Sequence, residues 1–277
     1  MSSEWYDEAK PFIAEKYFNL PVVGQIYGGK GDMNLEELLK LNPDVVIDVG
    51  EAKKDCASDL NALSEQTGLP FVHIDCSAFT ADKTYERLGE LFGKPEEAAV
   101  LSAYCKKTAD EFTALSESTD KVKFLYVVGE EGNHVVAQGS YHAEIIDLLT
   151  DNAAVVESPS SRGTGNEVDM EQILTWNPDA VIFAPDSIYE TVADDPLWQS
   201  VSAIANGRYF EAPFGPYNWM GYPPSVQRLV GMKWMAKVLY PEAVTYDLYE
   251  EVKEYFDLFY HCELTREMYD ALMVNAL

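Results

Sequence analysis

The chain has 277 residues, 47% hydrophobic and 24% charged, which suits one large core or two modest ones and argues against wholesale disorder. Forty-seven Asp and Glu against twenty Lys and Arg leave a net charge of −27. Such a surface repels nucleic-acid phosphates and anionic lipid headgroups, so no nucleic-acid partner is expected, and an anionic ligand needs a local cluster of donors.

In chain order, MSSEWYDEAKPFIAEKY is acidic and amphipathic, without the basic start or apolar stretch of a signal peptide. No run reaches the roughly 18 apolar residues of a membrane span; the longest candidate, LVGMKWMAKVLY, is broken by two lysines. A glycine-rich loop, YGGKGD (Tyr27 to Asp32), then feeds NLEELLKLNPDVVID (Asn34 to Asp48). Asn34 suits a helix N-cap, Glu37 holds the reach-back position of a capping box, and Leu35, Leu38 and Leu39 form one apolar face. Asn42-Pro43 ends the helix, because the residue before proline avoids the α region. DVVIDV follows as a short buried strand of the parallel kind. FVHID (71–75) predicts another strand and TYERLGELFG a short helix. Pro95 suits a first helical turn, and the segment from it to Ser118 predicts one helix of more than twenty residues.

KFLYVV (123–128) predicts a strand, GSYHAEIIDLL (139–149) a loop entering a helix, and AAVVE (153–157) a further strand. A second glycine loop, SRGTGN (161–166), feeds DMEQILTWNPDAVIF (Asp169 to Phe183), which lies 135 residues after the first copy and matches it at seven of fourteen aligned positions. Asp169 and Gln172 take the capping positions, and Met170, Ile173 and Leu174 the apolar face. RYFEAP (208–213) predicts a strand; PPSVQRLVGMKWMAKVLY and YDLYEEVKEYFDLFY predict amphipathic helices. One loop–helix–strand unit used on both sides of a long helix predicts an α/β fold of two lobes. The expected boundaries are residues 1–93, a connecting helix over 94–119, and residues 120–277. Ligands of open α/β sheets bind beyond the carboxyl ends of the strands, so a ligand is expected between two facing lobes.

The glycine loops match neither a Walker loop, lacking GK[ST], nor a dinucleotide fingerprint, lacking GxGxxG after a strand. The stretch APFGPYNWMGYPPSVQR (Ala212 to Arg228) is stiffened by four prolines and presents Tyr217, Trp219 and Tyr222, which either contact a flat, partly apolar ligand or pack the loop onto its lobe. Arg228 falls in the first turn of a helix, where a cation opposes the dipole and requires an anion, from ligand or protein. Arg162 in the second glycine loop is the other arginine placed to meet a ligand. Tyr141 and His142 stand at the mouth of a helix, where His142 either donates to a ligand or metal centre or is structural. Cys56, Cys76, Cys105 and Cys262 show no CxxC and share no metal-ligand spacing with a histidine, so no zinc site is expected. Their pairing as disulfides stays open beside buried free thiols. No GxSxG or Cys–His–Asp spacing supports catalysis, and no enzyme is expected.

The segments MNLEELLKLNPDVVID, GSYHAEIIDLL, WNPDAVIFAPDSIYETVADDPLWQSVSAIANGRYFEAPFGPYNW and PPSVQRLVGMKWMAKVLYPE resemble ABC-transporter substrate-binding proteins of the iron-siderophore, haem and cobalamin type, through most of residues 20–245. The resemblance implies two Rossmann-like lobes with mainly parallel sheets joined by a single long α-helix. It implies a non-enzymatic, extracytoplasmic monomer, lipid-anchored in its precursor, that captures a metal chelate (ferric siderophore, haem or corrinoid) for a membrane permease. No resident cofactor is implied. Members carrying the PYNW segment are also linked to molybdate or tungstate, which makes an oxyanion the alternative ligand; an enzyme or metallocluster protein on a similar bilobal scaffold is the other alternative. Matching ligand-contact positions are Tyr27, Gly28, Gly29, Tyr141, His142, Tyr217, Trp219 and Arg228, and the acids Glu51 and Asp186, each just after a repeat strand, match the permease-docking positions. Family members open with a strand and helix of the first lobe, whereas this sequence starts at EWYDEAKPFIAEKY, so an N-terminal lobe lacking its opening strand, with reduced strand pairing, is expected.

Overall fold

A computed structural model describes residues 7–27 and 33–277. The chain forms two compact units, Met1–Lys106 and Lys107–Leu277, and the boundary falls inside the long helix.

The first unit begins with two 3-10 turns, Asp7–Phe12 and Glu15–Tyr17. Helix α1 (Leu35–Leu41), strand β1 (Val46–Gly50), helix α2 (Cys56–Thr67), strand β2 (Phe71–Asp75) and helix α3 (Ala81–Phe92) follow, then helix α4 (Pro95–Ser118), which carries the boundary. Strands β1 and β2 pair in parallel, Val46 opposite Phe71 through Gly50 opposite Asp75. Leu38, Cys56, Leu60 and Phe71 form the small core between sheet and helices. Among the described residues the unit holds this one two-stranded sheet, the reduced pairing expected. Helix α2 was not legible beforehand, because CASDLNALSEQT has too few apolar residues to show a face.

The second unit runs β3 (Lys123–Val128), β4 (His134–Val135), α5 (Glu144–Leu149), β5 (Asp151–Asn152), β6 (Asn166–Glu167), α6 (Met170–Trp176), β7 (Ala180–Phe183), α7 (Ser202–Ala205), β8 (Tyr209–Glu211), α8 (Gln227–Leu239), α9 (Leu248–Tyr260) and α10 (Arg266–Leu272). Its sheet has the order β6-β4-β3-β7-β8, with β5 also on β3. The β3–β7, β7–β8 and β3–β5 pairs are parallel, while β4 is antiparallel to both β3 and β6. Leu125, Val127, Val181 and Phe183 are fully buried at its centre, with Ile173, Trp198 and Val201 packed against them. The predicted strand AAVVE is corrected: pairing stops at Asn152, and Val155 turns out to 63% exposure. Ala154 still accepts from Gln138 N, so the apolar start of that run is buried as loop.

The repeat shows why these helices stop where they do. Asn34 and Asp169 accept at the N-cap from Glu37 N (3.1 Å) and Gln172 N (2.8 Å). Glu37 does not complete a box by reaching back: the Asn34 N–H is donated to the Val23 carbonyl at 2.7 Å, and the Glu37 carboxylate accepts from Lys40 Nζ at 2.7 Å instead. At the other end Asn42 and Asn177 adopt left-handed conformations, φ 47° and 42°. The Asn-Pro stop is therefore an asparagine cap as much as a proline effect, since few residues other than Gly and Asn accept that geometry at low cost. Asn177 also accepts from Ser202 N through its side chain at 2.8 Å. Asn177→Ala is expected to cost about 2 kcal/mol and Asn42→Ala about 1, the difference being the lost hydrogen bond; denaturant unfolding of the two variants checks the order.

Candidate functional site

The second unit gathers one group of the expected residues. After β8 the chain enters the loop Ala212 to Ser225, held by bridges of Asn218 with Phe214 and Tyr222. Asn218 donates to Tyr126 Oη at 2.9 Å and accepts from Met220 N at 2.8 Å, fixing the loop on the sheet. Gly221, at φ 104°, brings its backbone against the aliphatic stem of Arg228, where a Cβ would stand 2.8 Å from Cδ. The Gly221 carbonyl can only accept, so the 3.1 Å contact from His142 Nδ1 places the proton on that nitrogen. His142 is buried at 8% exposure. Its ring lies 6.0 Å from Tyr141, edge-on, and 6.3 Å from Tyr222.

Arg228 is 2% exposed, and its required anion comes from the protein. Nη1 meets Glu144 Oε2 at 2.5 Å and the Tyr141 carbonyl at 3.2 Å, while Nη2 donates to Tyr141 Oη at 3.3 Å. The guanidinium also lies 4.8 Å from the Tyr141 ring centroid. Arg228 thus positions Tyr141 and the start of α5. Glu144 was missed as its partner, although an acid at a helix start, beside an arginine expected to require an anion, was the available signal.

The second glycine loop completes this face. Gly163 lies beneath Tyr222, where a Cβ would stand 2.0 Å from the ring, and Gly165, at φ 72°, lies against the Val135 carbonyl. Both glycines serve close packing. Ser140 donates to the Ser160 carbonyl at 2.9 Å, tying the loop to the mouth of α5. Tyr222 is 53% exposed and Arg162 is exposed beside Gly163, with no carboxylate paired to Arg162 among the described residues. The assembled face is half-buried Tyr141, buried His142 and exposed Tyr222, with Arg162 exposed in the adjoining glycine loop.

Trp219 is corrected as a ligand-contact residue. It is 0% exposed, donates from Nε1 to the Gly215 carbonyl at 3.0 Å and packs 6.5 Å from Phe256. Gly231 of α8 exists to admit this loop, since a Cβ there would stand 2.1 Å from the Trp219 carbonyl oxygen. Tyr217 is half-buried, and burial pushes its phenol up, so it stays neutral near pH 7. In the first unit Tyr27 donates to Asp59 Oδ2 at 3.1 Å. Burial first, then its contacts with Cys56 and Asp59, push that phenol up. Gly28 and Gly29 lie outside the described residues. Glu51 is partly exposed and paired with Lys53; Asp186 is exposed beyond β7. None of the four cysteines is in a disulfide, and Cys56 and Cys105 are buried; burial pushes the Cys105 thiol up to about 12.

No described helix is long and apolar enough to cross a membrane. The family described as periplasmic binding protein matches residues 9–215. Molybdate-binding protein MolA of Haemophilus influenzae is 26% identical over 258 residues, spanning 84% of this chain and 71% of that protein. Fe(3+)-citrate-binding protein YfmC of Bacillus subtilis is 24% identical over 214 residues, spanning 74% of this chain and 65% of that protein. An ABC transporter solute binding protein from Sulfurospirillum deleyianum superposes with a TM-score of 0.89 at 26% identity, covering 99% of this chain and 86% of that one. With the family match over three quarters of its length and the α/β units described above, the chain belongs to the periplasmic binding protein family and is a substrate-binding protein of the ABC-importer type.

Proposed function

We propose that the protein captures a metal chelate, of the ferric siderophore, haem or corrinoid class, outside the cytoplasm and as a monomer, and delivers it to the permease of an ABC importer. The observation that carries the reading is the face built from Tyr141, His142 and Tyr222, with Arg162 in the adjoining glycine loop. It offers aromatic area at low entropic cost with one exposed cation. On a chain of net charge −27 that cation is the local donor an anionic ligand requires. Arg228 acts through Tyr141, as a positioning residue.

A molybdate or tungstate oxyanion is the second reading, favoured by the likeness to a protein named for molybdate binding. A small oxyanion gains little from aromatic area, and the guanidinium of Arg228 is already matched by Glu144. The chelate is therefore preferred. A thermal-shift screen of ferric siderophores, ferric citrate, haem, corrinoids, molybdate and tungstate separates the two. At about 100 times the dissociation constant a true ligand adds about 2.7 kcal/mol of stability. A folded protein that shifts with none of them overturns the reading. Arg162→Glu is expected to weaken chelate binding by roughly ten- to a hundredfold, the value of about 1.5–3 kcal/mol for a charge-assisted contact.

Glu51 and Asp186 are the proposed docking acids, one in each unit. Reversing both charges is expected to abolish delivery to the cognate permease while leaving chelate affinity unchanged, as read by transport in reconstituted vesicles beside direct binding. Lost affinity in the doubly reversed protein counts against their assignment to docking.

A further inference from the structure

The register of β1 on β2 sets Asp48 directly opposite His73. Cys56, the first residue of α2, packs beside them, 7% exposed. A carboxylate oxygen, an imidazole nitrogen and the thiol sulfur all fall within 4.8 Å of one another. His73 Nδ1–H donates to Asp48 Oδ2 at 2.7 Å, which fixes the ring and leaves Nε2 as the atom with a lone pair. That nitrogen is buried and has no hydrogen-bond partner among the described residues. Buried polar atoms are ordinarily satisfied, so an orphaned imidazole nitrogen in a cluster with a thiol calls for a specific cause. The side chains of His73 and Asp48 are 14% and 25% exposed, so the group is reachable without being a surface patch.

We propose that Asp48, Cys56 and His73 form a binding site for one zinc-like divalent cation, separate from the ligand face of the second unit. Thiolate with imidazole selects a borderline-soft ion over magnesium or calcium, which take oxygen donors. The Asp48–His73 contact is the carboxylate–imidazole arrangement that orients metal-binding histidines. The protein donors are then Cys56 Sγ and His73 Nε2, with Asp48 held on the Nδ1 side of the ring as the orienting carboxylate, and water fills the remaining positions. Binding forms a metal–sulfur bond and releases the Cys56 thiol proton to solvent, with no change in oxidation state. Tyr27 anchors the start of α2 from outside, its hydroxyl 3.1 Å from Asp59 Oδ2 and 3.5 Å from the Cys56 carbonyl. A cation here would tie β1, β2 and α2 together in a unit whose described sheet has two strands.

The test uses the full chain, reduced and stripped with chelator, titrated with Co2+ as the spectroscopic probe and then with Zn2+. One equivalent of cobalt is expected to give a sulfur-to-cobalt charge-transfer band in the near ultraviolet, which zinc abolishes. Cys56→Ala and His73→Asn are expected to lose at least tenfold in affinity, while Cys262→Ala binds as the parent does. Alkylation of Cys56 in the parent protein, followed by mass spectrometry, is expected to slow at least tenfold with zinc, a readout that survives should a variant fail to fold. Cobalt bound without a sulfur band, an unchanged band in folded Cys56→Ala, or alkylation indifferent to zinc each overturns the site.

Discussion

Replacing Arg228 with methionine is expected to lower the stability of the second unit by about 3–5 kcal/mol, the cost of breaking a buried ion pair from one side. The guanidinium is 2% exposed and holds three groups at once: Glu144 Oε2, the Tyr141 carbonyl and the Tyr141 hydroxyl. Its removal leaves a carboxylate of 18% side-chain exposure without its cation and loosens the chain segment that presents Tyr141 and His142. The double variant Arg228→Met with Glu144→Gln is expected to recover a large part of the loss, because no charge is then stranded. Four of the five tryptophans, Trp176, Trp198, Trp219 and Trp234, lie in this unit, so tryptophan fluorescence during denaturant unfolding reports it. A single variant as stable as the parent would show that the pair is solvated and that Arg228 remains available to a ligand anion.

Trp219→Ala is expected to cost about 3–5 kcal/mol, the range for deleting a large buried aromatic. The indole is fully buried, its N–H is satisfied by Gly215, and α8 approaches it so closely that position 231 must be glycine. Tyr222→Ala, three residues on, is expected to cost under about 1 kcal/mol, because that ring is 53% exposed. The two variants are expected to divide cleanly: Trp219→Ala unfolds at lower denaturant, and Tyr222→Ala keeps its midpoint but loses chelate affinity. Equal loss of affinity in both, with both fully folded, would restore Trp219 to the ligand face.

Much of the fold was legible because its signals are local. The NPD repeat, the strands FVHID and KFLYVV and the helix from Pro95 to Ser118 each carry their period, cap or stop within a few residues, and each formed where read. Two readings failed where the deciding partner was distant. AAVVE has strand composition, yet the ladder on β3 ends at Asn152, with one further bond from Ala153 N to the Phe124 carbonyl. Trp219 looked presentable in a proline-rich loop, and only the packing of α8 and α9 turned it inward.

The sites divide in the same way. Composition alone required that an anion be met by local cations, and the sequence placed Tyr141, His142, Arg162 and Arg228 as candidates. Which arginine stays exposed was decided by Glu144, which reaches Arg228 across 84 positions of chain. The expectation that no zinc site exists rested on spacing, since Asp48, Cys56 and His73 stand 8 and 17 residues apart and match no metal motif. Strand register and the approach of α2 bring those three together. Periodicity and capping are written residue by residue, so the sequence determined the elements and their order. The pairing of side chains from different elements depends on register and packing, and only the tertiary structure decided it.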